Sequence, residues 1–104
     1  TPMEAHVKAV MEAQLARLAT RSPRIHLDLD RCLVNPSLQN FRDFPADDPA
    51  RALWVVLEED PVDHAGYKIA YDPSADAFCL CIGKQPGATY VGHYGTFEDA
   101  LLAM

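Results

Sequence analysis

The last third of the chain decides most of what it can fold into. "GYKIAYD", "AFCLCIGK" and "TYVGHYG" are short runs in which large apolar residues alternate with others, separated by "PSA" with Asp76 and by "QPGA". Alternation with a period of two marks half-buried strands, and Pro86 with Gly87 suits the central positions of a type II turn. The runs therefore predict an antiparallel three-strand meander over residues 66–95. Pairing Tyr71 with Phe78 sets Ile69 against Leu80 and Tyr67 against Ile82, which gathers the large apolar groups on one face.

A sheet with one greasy face needs a cover, and both ends of the chain supply one. Thr1, Pro2 and Glu4 have capping-box spacing, and Met3, Val7, Val10, Met11, Leu15 and Leu18 then recur at intervals of three and four until Ser22 and Pro23, predicting a helix over 2–21. Thr96 and Asp99 repeat the cap, and Phe97, Leu101 and Met104 share one face of a closing helix over 96–104.

Between these, "RIHLDLD" alternates Ile25, Leu27 and Leu29 with His26, Asp28 and Asp30, predicting a strand over 24–34. Residues 35–51 hold Pro36, Pro45 and Pro49 and read as a long connection with one short helix that drops Leu38 and Phe41 onto the core. "ALWVVLEE" reads as a strand over 52–59, since a helix there would end on Glu58, Glu59 and Asp60 at its negative pole. The expectation is one α+β domain spanning 1–104. It is a two-layer sandwich of a mostly antiparallel sheet of four or five strands, with the N-terminal and C-terminal helices on one face.

One layer of helices covers one side only. Residues 52–57 are apolar on both faces, and the reverse of the fourth strand shows Ala77, Cys79 and Cys81. Leaving such a patch in water is unfavourable at roughly 25 cal/mol per Å², so a second copy or another partner is expected over Trp54, Val56, Cys79 and Cys81, a two-fold homodimer being the commonest solution. The alternative is that the proline-rich connection folds back over it.

Charge and composition narrow the partners. The longest apolar run, Ala52 to Leu57, is far short of a bilayer span, and Glu4, Lys8 and Glu12 occupy the place where a leader would be apolar, so no membrane and a cytoplasmic location are expected. Three cysteines, an odd number, are expected as reduced thiols. Across 43–63, seven acidic residues face Arg51 alone, which reads as a solvated loop or as a dock for a basic protein. From Tyr67 to Met104, Lys68 and Lys84 stand against Asp72, Asp76, Glu98 and Asp99, the wrong balance for nucleic acid.

Three stretches bear on chemistry. A three-residue turn in the second hairpin sets His93 opposite Cys79, and Cys79, Cys81 and His93 then form a candidate site for a soft cation such as zinc or for thiol chemistry; a two-residue turn puts Gly92 and Tyr94 there instead. The plainer reading is buried, inert thiols. His26, Asp28 and Asp30 form a second row, although alternate side chains on a strand stand roughly 7 Å apart. "HLDLDRCLV" also resembles the first motif of the haloacid dehalogenase-like phosphatases. That resemblance implies Asp28 as nucleophile and Asp30 as acid/base, while Arg31 and Cys32 stand where the pattern has glycine and threonine. No glycine-rich phosphate loop, GxSxG or HExxH occurs. The sequence thus predicts a small non-catalytic interaction module without a cofactor, with a metal- or thiol-dependent site at Cys79, Cys81 and His93 as the alternative.

Overall fold

A computed structural model describes residues 2–21, 29–41, 51–83 and 88–103. Helix α1 (Pro2–Arg21) leads to a single helical turn, α2 (Leu29–Cys32), and then to strands β1 (Leu33–Phe41), β2 (Arg51–Asp60), β3 (Ala65–Asp72), β4 (Ala77–Ile82) and β5 (Thr89–Gly95), with α3 (Phe97–Ala103) closing the chain. The strands form one antiparallel sheet in sequence order, each pairing with the next. This is the α+β architecture expected, with both terminal helices against one face of the sheet.

The meander pairs in the expected register: Tyr71 with Phe78, Ile69 with Leu80, Tyr67 with Ile82. Ile69, Tyr71, Phe78 and Leu80, with Tyr67 beside them, meet Val7, Met11 and Leu18 of α1 and Phe97 and Leu101 of α3 in the first of two apolar clusters, while Ile82 is exposed. Tyr71 packs on Phe78 with ring centroids 5.1 Å apart, and Phe78 on Phe97 at 5.6 Å, in the tilted and edge-on arrangements that aromatic quadrupoles favour. Thr96 caps α3 by accepting the Asp99 amide at 3.1 Å, and Gln14 of α1 accepts the Phe97 amide at 3.2 Å, which locks the two helices together.

The structure departs from expectation in the first half. The strand expected over 24–34 is not formed at residues 29–32, which are helical, and residues 24–28 lie outside the described ones. A strand lies at 33–41: its first two residues end the expected strand and residues 35–41 fall in the stretch read as a connection with a short helix, whose residues 42–50 are likewise outside the described ones. Pro36 is accommodated because, among the described residues, β1 pairs with β2 alone, where a missing N–H is tolerable, and because the register is irregular between Leu33 and Ser37. As strand neighbours of opposite parity, Leu38 and Phe41 point to opposite faces, and Leu38 is exposed while Phe41 is fully buried.

The reverse face is the second departure. Phe41, Leu53, Val55, Ala70, Cys79, Cys81 and Ala88 form a second cluster, with Val34 and Tyr90 packed against it, and each core member is at most 1% exposed in the single chain. Of the residues expected at an interface, Val56, Cys79 and Cys81 are buried within the single chain, while Trp54 is half-buried. Trp54 and Val56 belong to the helix-covered side, because an irregularity between Val55 and Leu57 turns Val56 and Leu57 the same way. Cys79 and Cys81 lie on the opposite side and are fully buried.

Candidate metal centre

The reverse face carries a row that runs across the sheet from Val55 through Ala70 and Cys79 to His93. Directly cross-strand neighbours have Cβ atoms about 5 Å apart, so this register alone brings the Cys79 thiol and the His93 imidazole together. Asp72 lies two residues beyond Ala70 on β3, pairs with Ala77 as the last rung of its hairpin, and so projects from the same face. The carboxylate of Asp72, the sulfur of Cys79 and a ring nitrogen of His93 all lie within 4.8 Å of one another.

Each ligand is held by its surroundings. The Asp72 Oδ1 atom accepts the Ser74 amide at 3.0 Å and the Ser74 hydroxyl at 2.7 Å, the short loop that closes the hairpin. Its Oδ2 atom stays turned to His93, whose Nε2 stands 3.1 Å away. The opposite ring nitrogen, Nδ1, is engaged by the Tyr90 hydroxyl. Cys79 forms the floor, with no exposure, while Asp72 and His93 are the members that reach solvent, their side chains 12% and 31% exposed.

Burial by itself pushes the Asp72 carboxyl up. The hydrogen bonds from Ser74 and His93 outweigh it, and the group titrates below the ordinary carboxylate value. Asp72 is thus ionised near neutrality, as a metal ligand must be. Cys81 behaves differently: burial, reinforced by Cys79, drives its thiol far above the usual range, against a smaller opposing pull from Lys68. It stays a neutral thiol.

Of the residues expected at this site, Cys79 and His93 converge and Cys81 does not join them; Asp72 takes its place. Asp72 could have been found from sequence, because the register that pairs Tyr71 with Phe78 puts residue 72 on the face of Cys79. Tyr90 could not. It lies three residues from His93, an odd spacing that would send the two to opposite faces of a regular strand. Instead, β5 slips by one residue between its rungs with Leu80 and Cys81, so that Tyr90 opposes Cys81 and His93 opposes Cys79 on one face. As for the other candidate row, the backbone of Asp30 is helical, while His26 and Asp28 lie outside the described residues. The aspartate pair that resembles the phosphatase motif therefore has no strand at Asp30 to display it.

The acidic stretch is also partly accounted for within the chain. Glu58 binds Lys68 at 3.0 Å and His64 at 2.8 Å, Glu59 accepts the Tyr67 amide, and Asp60 accepts the amides of Val62 and Asp63 at the turn. No helix among the described residues is long and apolar enough to cross a membrane.

Comparison of the chain with protein-family models, with curated proteins and with solved structures found no match.

Proposed function

We propose that the protein binds one divalent ion of the zinc type through Asp72, Cys79 and His93. The observation that carries the reading is the convergence of three different ligand chemistries, from three adjacent strands, at the mouth of an otherwise sealed face. Thiolate, imidazole and carboxylate are the donors zinc takes, and tetrahedral ligands about one zinc stand roughly 3.3 to 3.6 Å apart. The Asp72–His93 separation is already there, and small side-chain rotations bring Cys79 in. Three protein ligands leave a fourth position, toward solvent between Asp72 and His93, which is the arrangement in which zinc holds water or a partner's donor atom.

A thiol nucleophile fits the same residues less well. Both ring nitrogens of His93 are engaged, by Asp72 and Tyr90, and Cys79 has no exposed surface from which to attack.

Titration with Co²⁺ in place of zinc is the direct test. One equivalent is expected to bind near neutral pH with the intense absorption of a thiolate–cobalt bond, and Cys79→Ser or His93→Ala is expected to abolish it. Saturable binding that survives Cys79→Ser, or no binding by the wild-type chain, would overturn the proposal.

Self-association is a second reading, moved from the residues expected by sequence. Ile82, Val91 and Tyr94 are the large apolar side chains left exposed along the β4–β5 margin, and Ile82 and Val91 share one shallow hollow with Thr89 and Tyr90.

A further inference from the structure

The slip in β5 turns Val91 outward, half exposed, and brings Tyr90 onto the second apolar cluster with its hydroxyl at His93. Bulges re-aim side chains beside functional sites. Without an ion, the carboxylate of Asp72 faces Nε2 of His93 and requires a proton there, so the neutral ring keeps Nδ1 as an acceptor for the Tyr90 O–H. An ion bound among Asp72, Cys79 and His93 must take the nitrogen that faces Asp72, which is Nε2. That nitrogen can be a ligand only if it gives up its proton, and the neutral ring then carries its hydrogen on Nδ1.

Resting on the metal-site reading, we infer that Tyr90 is the positioning residue of the site and that ion binding reverses its hydrogen bond with His93. In the metal-free chain Tyr90 donates to Nδ1; in the loaded chain the Nδ1 hydrogen is donated to the Tyr90 oxygen. On loading, the Nε2 proton leaves to solvent as one is taken up at Nδ1, and the tyrosine keeps its own hydrogen, turned away from the ring. A hydroxyl both donates and accepts, so tyrosine serves both states, whereas a pure donor or a pure acceptor would serve only one. Metal-bound histidines generally need such a partner on the other nitrogen, and losing it lowers metal affinity by about 10- to 100-fold.

The test joins Zn²⁺ and Co²⁺ affinities of wild type and Tyr90→Phe with ¹⁵N chemical shifts of the His93 ring. The wild-type ring is expected to be protonated on Nε2 without metal and on Nδ1 with Zn²⁺, and Tyr90→Phe to bind about 10- to 100-fold more weakly while Asp72 still holds the metal-free ring in its Nε2-protonated form. A Tyr90→Phe variant that binds within twofold of wild type would overturn the role of Tyr90 while leaving the metal site standing. Wild-type shifts that show Nδ1 as the zinc ligand would overturn it equally, without recourse to any variant. A wild-type chain that binds neither ion would overturn the metal reading and this inference with it; a metal-free ring protonated on Nε2 would then show the Asp72–His93–Tyr90 chain to be structural.

Discussion

Tyr71 shows how one buried hydroxyl can govern a response to pH. Its ring lies in the aromatic stack under the helices, and its hydroxyl donates to Asp76 Oδ1 at 2.5 Å. Burial first, then the hydrogen bond and charge of Asp76 and the charge of Asp72, raise its ionisation from 10.0 to about 12. A folded value above the unfolded one means that the stabilising contribution is complete below about pH 10 and is lost as pH rises through about 12. Alkaline titration by ultraviolet absorbance is expected to show one phenolate forming only near pH 12, and Tyr71→Phe to remove it. Glu58 and Lys68 pose the complementary case, a cross-strand ion pair at 3.0 Å with both side chains at most 5% exposed. Truncating Glu58 to alanine strands a buried ammonium and is expected to cost about 3 to 5 kcal/mol in urea unfolding, whereas the apolar pair Glu58→Leu with Lys68→Met is expected to recover most of it. His64, on the exposed side of Glu58, matters far less: His64→Ala is expected to cost under about 1 kcal/mol.

Among the elements, legibility followed side-chain alternation. The meander could be read to its exact partners because Ile69 and Tyr71 face Leu80 and Phe78, and a slip of one residue would take all four out of the helix-covered core. The capping threonine of α3 and the apolar stripe of α1 were equally plain. β1 was not legible: "LVNPSLQNF" has a proline, no alternation and an exposed Leu38, and it is a strand because β2 offers it a ladder. The alternation of "RIHLDLD" does not carry through its last two residues, since Leu29 to Cys32 are helical, and its first five lie outside the described residues. Half of the candidate site, Cys79 opposite His93, was visible as one of two possible registers. Asp72 was visible in principle, and Tyr90 was hidden because a slip in an edge strand depends on the partner strand rather than on local sequence.

For the whole molecule, the closed second face changes what association would mean. Cys79 and Cys81, once expected under a mate, are buried within the chain, so the self-association proposed above rests on the apolar margin of Ile82, Val91 and Tyr94. Sedimentation over a wide concentration range is expected to show reversible dimers of the 11.5 kDa chain that Val91→Asp disperses; a constant monomer mass would end that reading.

The sequence positions of Asp72, Cys79 and His93 carry one more consequence. They fall on three consecutive strands joined by two hairpins, so an ion shared among them closes only short loops, and α1, β1 and β2 lie outside every loop it ties. By loop-closure entropy such a tie, of up to about 15 residues, is worth roughly 3 kcal/mol. If the ion binds there, chelation is expected to lower the melting temperature while the helix-covered core stays folded, unlike the small fingers that exist as folded objects only while their zinc is in place.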